Sequence, residues 1–155
     1  MKIRLLAVGS KMPGWVEEGV ETYRKRLPRD FNLEIEEITL GQRGKNADIA
    51  KARAQEAQRI RDKLRGDEYV VALEVKGKPW TTEQLAQEAD AWRMAGRDIA
   101  LLVGGPDGLE PSLSAAADKT WSMSPLTLPH PLVRIMLAEQ LYRAWTLLVG
   151  HPYHR

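Results

Sequence analysis

The sequence has no cysteine among its 155 residues. This excludes disulfide bonds, metal sites built from thiolates, and catalysis by a cysteine nucleophile. No apolar run approaches the roughly 18 to 20 residues that a membrane-spanning helix requires. The apolar start, from Lys2 to Val8, is broken at Gly9 before it reaches the length of a signal peptide. We therefore predict a cytoplasmic protein.

The chain also lacks a strong charge of either sign. Its 23 Lys and Arg residues nearly balance its 21 Asp and Glu residues, which leaves a net charge of +2. Binding to a polyanion would then depend on local basic segments. Arg24 begins one such segment, which extends to Arg29, and Arg43 and Lys45 lie in another. Contacts to RNA phosphates are one interpretation of these segments. A solvated helix end and a plain surface loop are the alternatives.

Several motifs that bind nucleotides or metals are missing. The sequence contains neither the P-loop pattern nor the Gly-x-Gly-x-x-Gly fingerprint, which argues against a P-loop nucleotidase and a dinucleotide-binding fold of that kind. His151 and His154 lie three positions apart, but no third ligand stands near them. We predict no metal site.

Strand-like and helix-like segments alternate along the chain. This alternation predicts one α/β domain over residues 1–155, with a mostly parallel sheet flanked by helices. The predicted strands are Ile3–Val8, Leu33–Ile38, Tyr69–Val75, Ile99–Val103 and Thr120–Ser122. Three of the predicted helices are Pro13–Leu27, Asp48–Leu64 and Leu132–Val149, and a short one begins near Pro111. A further helix ends near Met94; Thr81 or Thr82 could cap its start, with Glu83 at capping distance.

The predicted strand Ile99–Val103 leads directly into a glycine-rich turn, Gly104-Gly105-Pro106-Asp107-Gly108. Glycines at the carboxyl end of a strand let a ligand approach the backbone. A strand, a glycine turn and a helix together are typical of a cofactor site at the edge of an open α/β sheet.

A second unusual segment, from Met123 to Pro131, holds three prolines and several apolar residues. Proline removes a backbone donor and disfavours helix, so the segment is predicted to be irregular. An irregular apolar segment either lines a ligand pocket or forms a buried crossover connection. Both interpretations stay open at this point.

The last helix is apolar around most of its circumference, which predicts burial on nearly all sides. In a chain this small, we expect a second copy to supply part of that burial, and therefore a homodimer. Glu139 and Arg143 are four residues apart, so they form either a plain helical ion pair or a pair that holds the arginine ready for a substrate. The tail that follows carries Tyr153, His154 and Arg155, which makes it a candidate lid over a nucleotide.

Five stretches of the sequence, spread over essentially the whole chain, resemble one family. They are LLAVGSKMPGWVEEGVETYRKRLP, GQRGKNADIA, LLVGGPDGL, WSMSPLTLPHPLVRIMLAEQLYRAW and the ending HPYHR. Together they resemble the SPOUT class of methyltransferases, and within it the enzymes that methylate pseudouridine in large-subunit (23S) ribosomal RNA.

The resemblance implies a homodimer that binds S-adenosylmethionine in a trefoil knot near the carboxyl end of the chain. It also implies methyl transfer to N3 of a pseudouridine in assembled ribosomes. The cofactor positions carried over by the resemblance are Leu73, Gly104, Gly105, Met123, Ser124, Pro125, Leu126, Thr127 and Leu128.

The acceptor nitrogen must lose a proton before it attacks, and three titratable residues are candidates for accepting it: His130, Glu139 and His154. Arg143 and Arg155 are candidates for holding a phosphate or a uracil carbonyl. Tyr153 is a candidate for stacking on a base. A competing hypothesis from another class is a ribosome-binding or RNA-binding module that keeps the fold without methyl transfer.

Overall fold

The computed structural model describes residues 1–44 and 48–154. Lys45 and Arg155, two of the candidate RNA-binding residues, therefore lie outside the described residues. The strands are β1 (Lys2–Val8), β2 (Asn32–Ile38), β3 (Tyr69–Pro79), β4 (Ile99–Val103) and β5 (Lys119–Ser122). The helices are α1 (Gly14–Arg24), α2 (Ile49–Lys63), α3 (Thr82–Ala95), α4 (Pro111–Ala116) and α5 (His130–Val149), with short 3-10 turns at Arg29–Phe31 and Pro152–His154.

The five strands form one parallel sheet in the order β2-β1-β4-β3-β5. The predicted α/β class and parallel sheet are confirmed. The two central strands, β1 and β4, are buried over almost their whole length because helices cover both faces of the sheet. Since all strands are parallel, their carboxyl ends lie at one edge of the sheet, where ligands bind in folds of this kind.

Helices divide the core into two apolar clusters. On one face, α1, α3 and α5 pack together over residues such as Leu5, Leu101 and Leu137. On the other face, α2 and α4 cover a smaller cluster that contains Leu6, Leu102 and other residues of the alternate register. Alternate residues of β1 and β4 thus point to opposite sides, as the pleat of a strand requires.

Two predicted boundaries and one predicted capping partner are corrected by the structure. β3 does not stop at Val75 but resumes after a bulge and continues to Pro79. The capping box of α3 pairs Thr81 with Gln84 and not with Glu83, because the third helical position is the one whose side chain reaches back to the cap. α5 begins at His130, since the fixed φ of Pro131 suits the first turn of a helix.

Candidate active site

A cavity of about 660 Å³ opens at the carboxyl ends of β3, β4 and β5. Its walls come from the end of β3, the glycine turn after β4, the proline-rich segment after β5 and the three helices α2, α4 and α5. The lining residues used below are Arg53, Leu73, Glu74, Lys76, Gly77, Val103, Gly104, Asp107, Ser114, Trp121, Met123, Ser124, Leu126, Leu128 and Val133. The two segments singled out in the sequence therefore meet at one cavity.

The glycine turn folds back tightly on itself. A Cβ atom built on Gly104 would lie 2.3 Å from the carbonyl carbon of Gly108 and 2.4 Å from the amide nitrogen of Leu109. Gly108 itself has a φ of 78°, a conformation that side chains disfavour. The close packing of backbone within the turn thus requires a glycine at position 104. The same close packing makes Gly104 part of the cavity wall. Gly105 does not line the cavity; its Cβ position faces Val8 and Leu40.

A bulge in β3 supplies a second wall. Leu73 and Lys78 both pair with Trp121 of β5, so the four residues between them leave the ladder. Gly77 closes this bulge against β5, because a Cβ there would lie 2.8 Å from backbone atoms of Trp121. The displaced segment, Glu74–Gly77, forms the rim of the cavity.

The proline-rich segment forms the third wall, which favours the pocket interpretation over a buried crossover. The hydroxyl of Ser122 donates to the carbonyl of Ser124 at 3.0 Å, and the amide of Leu126 donates to the Ser124 hydroxyl oxygen at 3.0 Å. These bonds shape the segment without helix or strand. Among the predicted cofactor residues, Met123, Ser124, Leu126 and Leu128 line the cavity together with Leu73 and Gly104, whereas Gly105, Pro125 and Thr127 do not.

Charged side chains also line the cavity. Arg53 and Lys76 contribute positive charge there, and Glu74 and Asp107 contribute negative charge. Ser114 donates its hydroxyl to the Glu74 carboxylate. The sequence analysis missed Arg53, since α2 has many charged residues and nothing in their spacing sets one apart.

Arg43, a candidate RNA-binding residue, is engaged within the chain. Its guanidinium lies 2.6 Å from the Glu56 carboxylate and 2.9 Å from the Asp107 carboxylate. Hydrogen bonds to these two acids raise the pKa of Arg43. Glu56 also accepts the amide of Gly41 at 2.9 Å. Arg43 thus ties the loop after β2 to the glycine turn beside the cavity.

Arg24, another candidate RNA-binding residue, is partly engaged. Its Nε atom donates to the carbonyl of Leu33 at 2.7 Å, and its Nη1 atom lies 3.2 Å from the Glu21 carboxylate. This arrangement fixes the end of α1 against β2. The role of Arg24 in RNA binding stays a prediction.

His130 stands at the start of α5, where it forms a hydrogen bond with the backbone of Gly104. Burial, together with the neighbouring charge of Arg134, lowers the pKa of His130 below its usual value. The imidazole is therefore neutral at pH 7. Its Nε2 atom is buried and has no hydrogen-bond partner among residues 1–44 and 48–154. Arg134 is also buried and pairs with Glu37 at 3.2 Å.

A second site, which we call the tail cluster, consists of Glu139, Arg143 and Tyr153. The Glu139 carboxylate accepts hydrogen bonds from Arg143 Nε at 2.8 Å and from the Tyr153 hydroxyl at 3.2 Å. The Arg143 guanidinium also lies over the Tyr153 ring, 5.0 Å from its centroid. Tyr142 packs edge-on against Tyr153, with 4.6 Å between ring centroids. The tail thus folds back onto α5 through side-chain contacts.

The tail cluster and the cavity are separate within one chain. Val133 lines the cavity, but Glu139, Arg143 and Tyr153 do not. Ten residues along a helix correspond to about 15 Å, so Arg143 is remote from the cavity end of α5. Hydrogen bonds to Glu139 raise the pKa of Arg143, and burial raises the pKa of Tyr153. The cluster therefore keeps a charged guanidinium and a protonated phenol at neutral pH.

Two kinds of feature are absent from the described part of the chain. No group of three or more His, Asp or Glu residues within it is placed to hold a metal ion. Within the same residues, no helix combines the length and the apolar character needed to cross a bilayer.

Comparison with known families agrees with this geometry. The family described as "Predicted SPOUT methyltransferase" matches residues 1–154. The chain belongs to the SPOUT methyltransferase family. The resemblance found in the sequence is confirmed, and so is the methyltransferase class. The trefoil knot that the resemblance implies stays a prediction.

Full-length relatives are similar to this chain over their whole length. A protein of Chromohalobacter salexigens named "Ribosomal RNA large subunit methyltransferase H" is 64% identical over 155 residues, which covers all of both chains. A protein of Hahella chejuensis with the same name is 60% identical and covers all of this chain and 99% of its own.

Solved structures share the fold at low sequence identity. A structure described as "Probable Methyltransferase from Bordetella pertussis Tohama I" has a TM-score of 0.57 at 15% identity and covers 92% of this chain and 95% of its own. A chain from Legionella pneumophila, described as a methyltransferase in complex with the bound cofactor SAM, has a TM-score of 0.50 at 16% identity. It covers 93% of this chain and 66% of its own. At these identities the likeness concerns the fold.

Proposed function

We propose that this SPOUT methyltransferase uses S-adenosylmethionine to methylate N3 of a pseudouridine in large-subunit ribosomal RNA, as a homodimer acting on assembled ribosomes in the cytoplasm. The proposal rests on the cavity at the carboxyl ends of β3, β4 and β5. This cavity occurs in a chain that is 64% identical, over its full length, to a protein named as a ribosomal RNA large subunit methyltransferase.

The cavity residues fit S-adenosylmethionine in size and chemistry. A volume of about 660 Å³ suits a ligand of this size. Leu73, Met123, Leu126 and Leu128 offer apolar surface for a purine ring, and the charged side chain of Arg53 suits an amino acid group. When bound, S-adenosylmethionine supplies an electrophilic methyl group. The protein supplies position, which accounts for the largest part of the rate in transfers of this kind.

The tail cluster is the part of the molecule best suited to the acceptor nucleotide. Glu139 already accepts bonds from Arg143 and Tyr153, so we assign it the role of orienting these two residues and not that of a free base. The oriented guanidinium suits a phosphate or a uracil carbonyl. It would also stabilise the negative charge that a uracil ring gains when N3 loses its proton.

His130 is the candidate base for which the structure gives a reason. Burial keeps its imidazole neutral, and a neutral imidazole can accept a proton. Its Nε2 atom has no hydrogen-bond partner among the described residues. His154 stays a candidate from the sequence alone.

A homodimer would bring together a cavity and a tail cluster from different subunits. Exposed apolar side chains remain where α1 meets α5: Trp15 is 56% exposed, Leu132 41% and Met136 36%. Gly19 of α1 packs directly against Ile135 of α5, which places these residues around one helix pair. Such a patch on a small protein is typical of a subunit interface. Replacing Trp15 by Glu should convert the dimer to a monomer in sedimentation velocity experiments.

The test of the proposed reaction has two steps. Calorimetric titration should give saturable binding of S-adenosylmethionine and no binding of ATP. Incubation of the protein with S-adenosylmethionine and intact ribosomes should then yield 3-methylpseudouridine, detected by mass spectrometry of the digested RNA. Ribosomes in which the target pseudouridine is left as uridine are the matched control. A folded protein that binds ribosomes but neither S-adenosylmethionine nor its demethylated product would instead support the RNA-binding module.

A further inference from the structure

The cavity wall combines apolar and charged side chains. Leu73, Met123, Leu126 and Leu128 give it apolar surface, and Arg53 contributes positive charge. Arg53 lies on α2, outside both segments that the sequence singled out. An arginine at the wall of a small cavity calls for an anionic partner, because a guanidinium is costly to remove from water without one.

Of the two acids that line the cavity, Glu74 accepts a hydrogen bond from Ser114, and Asp107 is paired with another arginine. Arg43 takes both Glu56, at 2.6 Å, and Asp107, at 2.9 Å. Among residues 1–44 and 48–154, Arg53 takes part in no ion pair, and its Nε atom is buried without a hydrogen-bond partner. Arg53 is therefore a cation at the cavity wall that the described part of the chain does not neutralise.

Other arginines of α2 do have partners. Arg59 donates to the carbonyls of Thr39 and Leu40 at 2.9 and 2.8 Å. Arg61 donates to the hydroxyl of Ser112 at 2.9 Å. The lack of a partner is thus not a general property of the charged residues on this helix, and Arg53 is also the one of these three that lines the cavity.

We propose that Arg53 binds the carboxylate of the amino acid end of S-adenosylmethionine, with the adenosyl group against the apolar side chains of the cavity. The inference rests on the proposed function and adds to it the residue that recognises the amino acid end. A guanidinium offers two parallel N–H donors that match a carboxylate. Charge-assisted bonds of this kind contribute about 10- to 100-fold in affinity.

Two neutral thioethers test this assignment by binding alone. S-adenosylhomocysteine carries the amino acid group, and methylthioadenosine has a methyl group in its place. In calorimetric titrations, Arg53→Gln should weaken S-adenosylhomocysteine binding by about 10- to 100-fold. The same substitution should change methylthioadenosine binding by less than about twofold, since this ligand has no carboxylate to lose. Arg53→Lys should lie between Arg53→Gln and wild type, because lysine keeps the charge without the planar fork.

Lys51→Gln is the matched control, because Lys51 lies on the same helix, is exposed and does not line the cavity. It should leave both affinities unchanged, which excludes a long-range charge effect. Equal weakening of both ligands by Arg53→Gln, in a protein whose melting temperature is unchanged, would overturn the assignment and leave the proposed function standing. No effect on either ligand would also overturn it. A folded wild-type protein that binds neither thioether would overturn the proposed function and the assignment together.

Discussion

The cavity and the tail cluster are formed by different kinds of chemical group. Backbone turns and apolar side chains make most of the cavity, and a Cβ added at Gly104 would collide with the backbone of Gly108. The tail cluster is made of ionic and hydroxyl groups that bond to one another, with Glu139 at its centre. A wall of backbone selects a ligand by shape, whereas paired side chains orient a charge.

This difference indicates that the two regions have separate roles in the proposed reaction. A change in the cavity should alter cofactor affinity, and a change in the tail cluster should alter transfer with affinity preserved. The separation holds within one chain, because no residue of the tail cluster lines the cavity. The predictions for Arg143 and Tyr153 below measure both quantities, so that either one can contradict the division.

The largest effect is expected in the tail cluster. Arg143→Gln should lower the rate of RNA methylation by about 100- to 1000-fold, the usual cost of losing one donor that stabilises developing negative charge. The dissociation constant for S-adenosylmethionine should change by less than about twofold. Rapid-quench methylation assays and calorimetry measure the two quantities. A loss of cofactor affinity as large as the loss of rate would contradict the separate roles of the cavity and the tail cluster.

The next effect is expected in the cavity. Gly104→Ala should weaken S-adenosylmethionine binding by about 30- to 100-fold, because the added Cβ would displace the backbone of Gly108 and Leu109. Gly14→Ala is the matched control, since a Cβ there meets no atom within 4 Å. Calorimetry gives the affinities, and circular dichroism verifies folding. Unchanged affinity for the Gly104 variant would show that the turn is not part of the binding site.

A smaller effect is expected for Tyr153→Phe, which removes one hydroxyl and keeps the ring over Arg143. Loss of the 3.2 Å hydrogen bond to Glu139 should lower the methylation rate by about 3- to 10-fold. The cofactor affinity should stay the same. A decrease as large as that of Arg143→Gln would mean that the hydroxyl itself contacts the reacting nucleotide.

The smallest effect concerns His130 and the pH dependence of stability. Its pKa is lowered in the folded state, so the unfolded chain binds the proton more readily between the folded pKa and about 6.5. Its contribution to stability is therefore complete above about pH 6.5 and falls as the pH drops through that window. His130→Gln should show a smaller decrease in melting temperature between pH 7.5 and pH 5.5 than wild type. An equal decrease would locate the pH dependence elsewhere.

The sequence predicted the sheet well because local patterns determine it. The apolar run Ile99–Val103 and the glycines after it are local signals, and both ends of β4 agree with the prediction. The bulge at the end of β3 was missed, since it depends on how two strands pair through Trp121. Periodicity along one strand carries no information about such a register shift.

The charged residues of the site were harder to interpret from sequence. Arg43 was predicted to contact RNA on the basis of a basic, glycine-containing loop, but its two acid partners lie 13 and 64 positions later in the chain. Arg53 gave no signal, because its place in the cavity wall and the lack of a partner for its Nε atom among the described residues arise only in the folded structure. Tertiary contacts decide which arginine has an acid partner and which lines the cavity without one. No local pattern in the sequence encodes these contacts.

The bulge in β3 has a consequence for how this fold diversifies. Pairing with β5 stops at Leu73 and resumes at Lys78 against the same partner, Trp121, so the four intervening residues do not set the register of the sheet. Residues can be added to or removed from this rim without shifting any side chain of the strand to the opposite face. The length of the rim can therefore vary while the pairing of the strands stays the same. Ligand preference can change at the rim without a change in the core.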